Sequence, residues 1–465
     1  HGPDMNVSKY NSFVTRKLAA SYVDGITAKD LPASMFPHQV ALVEWACRRG
    51  RAAIFADTGL GKSRMQVAWA DQVVRETGKP VLILAPLAVA DQTVAEGEEI
   101  GIEVTHDKDE SNAPGIRITN YGKLHRFDPD RYAGVVLDES SIIKHHDSKT
   151  LRTLLDAFRH TPYRLCATAT PAPNDWMELG THAEFLGVCS RAEMLAEYFI
   201  HDGGETQKWR LKGHARSLFW SWVSTWGAMI RSPADLGYDA SAYDLPPLMM
   251  HQHTVSSEGV PTGGMLFALE AETLSERRQA RKATIDARVG RCASVVNATD
   301  SPWIIWCDLN AEADALRAAI PGSVEVRGSD EPDKKEAKLN GFSRGDFRVL
   351  ITKPKIAGFG MNWQHCNNVA FVGVSDSFEA FYQAIRRCWR FGQASTVDVH
   401  VIASDLEGAV VANLKRKEHD ALAMFEQLSV ETRDAVKSAV MGARTTTNEY
   451  GASSAVSIPS FMNGT

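Results

Sequence analysis

The chain has 465 residues, 44% hydrophobic and 23% charged, with a net charge of −6. That length exceeds one ordinary hydrophobic core, so two domains are expected, and no apolar run reaches the roughly 18 residues of a membrane span. Seven scattered cysteines without a C-x-x-C pair suit a reducing compartment and speak against a structural zinc, while the mild acidity excludes a uniformly basic coat but not a local basic groove.

The opening His-Gly-Pro-Asp reads as an expression remnant ahead of Met5. From Ala52 onward, short β-rich runs alternate with helical-period segments. AAIFA, VLILA, GVVLD and RLCATAT are expected strands, and 62–77, 89–98 and 149–158 are expected helices. Strands separated by helix-length crossovers predict a parallel sheet covered on both faces.

Between the first strand and its helix lies ADTGLGKS, residues 56–63. It nearly fits the phosphate-loop pattern Gly-x-x-x-x-Gly-Lys-Ser/Thr, with Ala56 in place of the first glycine. Gly59 and Gly61 can turn backbone N–H groups toward phosphate oxygens, Thr58 and Leu60 complete the loop, Lys62 supplies a cation and Ser63 a metal-binding hydroxyl. A Gly-rich turn with a surface lysine is the plainer alternative. GVVLDESS, residues 134–141, then delivers Asp138 and Glu139 to the carboxyl end of another buried strand, the edge where α/β sheets bind ligands. Asp138 is placed to hold a metal through its water shell, and Glu139 to polarise an attacking water.

Residues 187–260 show little strand alternation and carry four tryptophans, Trp209, Trp220, Trp222 and Trp226. Phe219, Trp222, Val223, Trp226 and Ile230 recur at helical spacing, which predicts a packed helix in an insertion or linker. DLPPL, residues 244–248, reads as an extended exit. The strand-helix alternation then returns with WIIWC, VEVRG, FRVLIT, NVAFVG and VDVHVI, and with helices expected at 265–298, 311–319, 333–343, 377–390 and 405–430. The resulting division is 1–186, a nucleotide-binding lobe; 187–260, a helical insertion; 261–439, a second lobe with a C-terminal helix; and 440–465, a small polar tail expected to be disordered.

In order along residues 36 to 420, these segments resemble the motifs of superfamily 2 helicases, and within them the Swi/Snf-type DNA translocases. FPHQ (36–39) resembles the adenine-reading segment, with Gln39 as the base-edge contact. ADTGLGKS resembles motif I, in which alanine at the first position is usual; APLAVADQ (85–92) is similar to motif Ia, and ITNYGKL (118–124) to motif Ib. LDESSIIKHHDSKT (137–150) resembles motif II, RLCATATPAPN (164–174) motif III, WIIWC motif IV, IAGFGMNW (356–363) motif V and QAIRRCWRFGQ (383–393) motif VI. The chain departs from the pattern at Ser140-Ser141, where the family carries Ala-His, at Ala169 and Ala357 in place of glycines, and at Lys353 in place of a small hydroxyl residue.

The resemblance implies two tandem RecA-like parallel-sheet lobes with a helical insertion between them, and an ATP hydrolase that uses Mg²⁺ held by Ser63 and Asp138. It assigns catalysis to Lys62, Asp138, Glu139, Gln383 and the two motif VI arginines. Arg387 and Arg390, expected at i,i+3 on one helix face, would reach the cleft from the second lobe and stabilise γ-phosphate charge. Thr119 and Asn120 of motif Ib and Lys355 and Asn362 around motif V are the implied nucleic-acid contacts. The basic stretches ERRQARK (276–282) and LKRKEH (414–419) could widen the track, although such a stretch is more often a plain solvated helix face. The implied partner is nucleic acid, duplex DNA first, with no membrane and a monomeric chain. The implied setting is DNA replication, repair or recombination in the cytoplasm of a bacterial or phage-infected cell, with a nuclear one not ruled out. An RNA helicase and a low-turnover nucleotide-dependent clamp are the alternatives.

Overall fold

The computed structural model describes residues 25–86, 89–111, 113–172, 175–201, 209–257, 281–357, 361–373, 378–405 and 432–441. Two parallel sheets organise it, consistent with tandem RecA-like lobes. The first has seven strands in the order β3-β4-β2-β5-β6-β1-β9: β1 is Arg51–Ala56, β2 Val81–Ala85, β3 Val104–His106, β4 Ile116–Asn120, β5 Gly134–Asp138, β6 Tyr163–Ala167 and β9 Gly227–Ile230. A small antiparallel pair, β7 (Phe199–His201) and β8 (Trp209–Leu211), stands apart. The second sheet has six strands ordered β10-β15-β14-β11-β13-β12, with β10 Leu248–Val255, β11 Trp303–Cys307, β12 Val324–Glu325, β13 Val349–Thr352, β14 Asn368–Val372 and β15 Val397–Ser404.

The central strands are apolar on both faces because each sheet carries a core on either side. In β1, Ala53 and Phe55 point into one cluster, and Ala52, Ile54 and Ala56 into the other. β11 divides in the same way, with Ile304 and Trp306 on one side and Trp303, Ile305 and Cys307 on the other. Period-two side-chain alternation makes such a strand serve two cores at once.

The segment 187–260 is not a free-standing helical insertion. The helix Arg216–Trp226 buries Phe219, Trp220, Val223 and Trp226 in the first lobe's core, and Ile230, expected on that helix, lies instead in β9. There β9 pairs with β1, from Ala53↔Gly227 to Ala56↔Ile230. Helical spacing captured the aromatic face, but a four-residue strand behind it is too short to show a period. Past DLPPL the chain enters β10, which pairs with β15 through eight residues from Leu248↔Val397 to Val255↔Ser404.

The last described helix, 432–441, crosses back to the first lobe rather than closing the second, and it runs past the boundary expected at 440. Val436 and Val440 join the first lobe's core, Arg433 pairs with Asp235 at 3.2 Å, and Arg48 Nη2 donates to the Val440 carbonyl at 3.2 Å. The helix expected at 405–430, the first half of 265–298, LKRKEH and nearly all of ERRQARK lie outside the described residues. Among the described residues, no helix is long and apolar enough to cross a membrane.

Candidate active site

Sheet register builds the first wall. Ala167 of β6 pairs with both Ile54 of β1 and Asp138 of β5, so β5 and β6 end level and β1 runs two residues further, to Ala56. The loop after Ile54-Phe55-Ala56, the acids after β5 and the threonines after β6 therefore meet at one edge. Gly59 and Gly61 take φ of +91° and +81°, which only glycine adopts without a Cβ clash, and the helix Lys62–Thr77 starts directly from Gly61. Its N-terminus faces the loop with the positive end of a 16-residue helix.

Lys62 is folded into the loop, its Nζ donating to the Ala56 carbonyl at 2.9 Å and the Asp57 carbonyl at 3.3 Å. Burial lowers its pKa, and Glu139, Asp57 and Asp138 oppose that shift. Asp138 Oδ1 accepts from Gln66 Nε2 at 2.7 Å, and Tyr121 donates its hydroxyl to the Asp138 carbonyl at 2.7 Å. Burial, then the charge of Glu139, raises the Asp138 pKa. Glu139 sits at φ +50°, a left-handed conformation for a non-glycine residue, and its Oε2 accepts from Thr168 Oγ1 at 3.3 Å. Strain of this kind persists only where the surroundings over-determine it. Gln39 packs beneath the loop, its Nε2 donating to the Leu60 carbonyl at 3.0 Å and its Oε1 accepting from the Phe36 N–H at 3.1 Å.

The second wall comes from the other lobe. A cleft is lined by Thr58, Gly59, Gly61, Lys62, Ser63, Asp138 and Glu139 on one side and by Asn362, Arg387 and Arg390 on the other. Arg387 is held by Gln383, through the Gln383 carbonyl at 3.0 Å and its Oε1 at 2.9 Å. Gln383 Nε2 reaches across to Thr170 Oγ1 at 3.2 Å. Burial, then the neighbouring Arg387 charge, pushes the Arg390 pKa down to about 10, and its Nε has no hydrogen-bond partner among the described residues. A buried, unpaired guanidinium N–H lining a cleft is a group built to receive an acceptor.

The motif VI arginines do not share a helix face. The helix ends at Ile385, and the following N–H groups bond back to tighter turns, Arg387 to the Ala384 carbonyl and Cys388 to the Ile385 carbonyl. The tightening fans out three arginines. Arg387 and Arg390 line the cleft, whereas Arg386 grips the loop from outside it, its Nη2 donating to the Thr58 carbonyl at 2.9 Å, its Nε to Thr58 Oγ1, and its guanidinium pairing with Asp57 at 3.2 Å.

Two implied polymer contacts are corrected. Thr119 is fully buried in β4, with its hydroxyl unpartnered among the described residues, so it cannot touch a phosphate on the surface. Asn362 lines the cleft and donates to Glu96 Oε1 at 3.4 Å, which places it at the lobe seam. Asn120, at the end of β4, is partly exposed, and Lys355, in the short helix Pro354–Ala357, is exposed. Sequence reasoning missed Arg386, Gln66, Glu96 and His182, whose Nε2 lies 3.1 Å from Ser140 Oγ. Of these only Arg386 carried a visible signal, as the first arginine of RRCWR. Leu87, Ala88, Pro173, Asn174 and Gly358 to Gly360 of the motifs lie outside the described residues.

The second wall has a relative among known families. Residues 288–392 match the helicase conserved C-terminal domain. That match ends at Gly392 of motif VI and includes Asn362, Gln383, Arg387 and Arg390. No curated protein matches the chain significantly. Among solved structures, the SWI2/SNF2 ATPase core of Sulfolobus solfataricus in complex with dsDNA aligns over 88% of this chain and 98% of its own, at 18% identity and a TM-score of 0.41.

Proposed function

We propose that the chain is a nucleic-acid-stimulated ATP hydrolase, working as a superfamily 2 helicase or double-stranded DNA translocase in DNA replication, repair or recombination. The observation that carries this reading is the composition of the cleft: Lys62, Ser63, Asp138 and Glu139 on one lobe face Arg387 and Arg390 on the other. The helicase C-terminal domain match supports the assignment of the second wall.

In this reading the loop N–H groups and Lys62 hold the β- and γ-phosphates, and Gln39 reads the base edge after its amide exchanges the Leu60 carbonyl for the purine. Ser63 and Asp138 offer the hard oxygen donors that suit Mg²⁺, which when bound neutralises phosphate charge. Glu139 orients the attacking water, and Arg387 and Arg390 meet the charge that spreads over the γ-phosphate in the transition state. Because the two walls belong to different lobes, nucleotide held between them tightens the seam and product release loosens it. A strand held on both lobes, with Asn120 and Lys355 as remaining contact candidates, advances with each cycle. Contacts of this kind go to phosphates and carry little sequence preference.

Turnover measured with duplex DNA, single-stranded DNA and RNA tests the proposal. Strong stimulation by duplex DNA is expected. Stimulation by RNA alone would make the chain an RNA helicase, and none by any polymer would leave a nucleotide-dependent clamp.

A further inference from the structure

The three arginines of motif VI do different work. Arg387 and Arg390 line the cleft, and Arg390 still has an unpaired Nε. Arg386 does not line it. Its donors are spent on Thr58 Oγ1, on the Thr58 carbonyl at 2.9 Å and on the Asp57 carboxylate at 3.2 Å, and its guanidinium lies 5.2 Å from the ring centre of Trp389 and 5.7 Å from that of Tyr382. Asp57 turns its other oxygen inward, where it accepts the Thr58 N–H at 2.6 Å. The loop's crown is thereby held from the second lobe.

We infer that Arg386 is a tether that docks the second lobe onto the phosphate loop through protein acceptors alone, so that its Asp57 and Thr58 contacts set how readily the cleft closes. The other hydrogen bonds and ion pairs described across the seam are weaker, although Phe391 also packs edge-on against Phe36 with ring centres 6.1 Å apart. Lys108–Asp333 is an exposed pair with side chains 52% and 72% accessible, and Asn340–Asp91 is likewise exposed. Solvent screening leaves such pairs little weight. Gln383–Thr170 and Asn362–Glu96 are single bonds at 3.2 and 3.4 Å. Arg386 is buried and engages three acceptors through a planar fork, a geometry lysine cannot reproduce. Arg386 is a positioning residue: it touches the loop and not the reacting atoms.

The consequence for turnover rests on the ATPase reading, but the tether itself does not. In full-length protein, dyes attached after Lys79→Cys and Ala318→Cys, one exposed site in each lobe, report lobe separation by energy transfer without nucleotide. Wild type should give one high-transfer population. Arg386→Ala should shift it to low transfer, Arg386→Lys should restore it only in part, and Asp57→Asn, which keeps an oxygen for the Thr58 N–H but loses the charge, should open it partway. In the absence of polymer, KM for ATP should rise by about 10- to 100-fold in Arg386→Ala, the range of lost charge-assisted hydrogen bonds. The turnover number at saturating ATP and polymer should stay within about threefold, because both ligands then drive closure. Unchanged transfer in Arg386→Ala overturns the tether. If that variant does not fold, unchanged transfer in both Asp57→Asn and Arg386→Lys overturns it equally. Opening of the lobes in a protein whose turnover ignores every polymer would leave the tether standing and sink the translocase.

Discussion

Gln383 of the second lobe donates to Thr170 Oγ1 of the first at 3.2 Å, with both side chains buried. The contact heads a chain: the Thr170 N–H bonds to Thr168 Oγ1 at 3.2 Å, and Thr168 donates to Glu139 at 3.3 Å. On its other side, Gln383 Oε1 accepts from Arg387. One amide therefore connects the arginine of one wall to the carboxylate of the other.

Gln383→Ala leaves a buried hydroxyl and a buried guanidinium short of partners, at a cost of about 1–3 kcal/mol. The expected result is a fall of about 10- to 100-fold in stimulated turnover with nucleotide affinity nearly unchanged. Thr170→Val should reproduce part of that loss, and the double variant should lose less than the sum, since both remove one interaction. Steady-state kinetics of the three variants check this.

Glu139→Gln keeps the side-chain shape and a carbonyl oxygen to accept from Thr168, but it removes the negative charge that polarises water. Turnover is expected to fall by about 10²- to 10⁴-fold, while a fluorescent ATP analogue binds as in wild type. Lost binding would show that the carboxylate shapes the pocket rather than acting on water.

Gly61→Ala should disable the loop outright. A Cβ there would stand 2.1 Å from Gln39 Nε2, and the backbone sits at φ +81°. Gly59→Ala is a different test, because its Cβ would meet the Phe391 backbone nitrogen and Cβ of the second lobe at 3.0 Å, at φ +91°. Gly61→Ala should cost nucleotide affinity even in a fragment-like open state, whereas Gly59→Ala should chiefly hold the lobes apart, adding to backbone strain of about 1–3 kcal/mol in either case. Calorimetric nucleotide binding beside the interlobe energy-transfer signal separates the two.

His182 makes stability depend on acid. Burial lowers its pKa from 6.5 to about 4, so the unfolded chain takes up a proton across a range where the folded one does not. Stability contributed by the neutral ring is thus complete above pH 6.5 and declines as pH falls toward 4, by about 3 kcal/mol at full extent. His182→Gln, which keeps a neutral polar group near Ser140, should flatten that acid limb. Urea unfolding at pH 7 and pH 5 measures the difference.

The first-lobe wall of the cleft was legible because its signals are local. A glycine-flanked loop between strand and helix, or two acids ending an apolar strand, are contiguous in sequence, and Lys62, Ser63, Asp138 and Glu139 line one cleft. β9 and the return of the helix 432–441 to the first lobe were illegible, since each depends on partners far along the chain: Phe55 and Ala56 for β9, Arg48 and Asp235 for the helix.

Sequence alone determined where the glycine-flanked loop and the paired acids lie and that two parallel α/β lobes would present them, because backbone turns, strand burial and charge type are properties of short stretches. Tertiary structure decided which side chains meet. Arg386 turned to the loop and Arg390 to the cleft only because the helix tightened after Ile385, and Thr119 vanished into β4 because its strand is covered on both faces. Direction and burial arise from packing between segments hundreds of residues apart, and no single stretch holds that information.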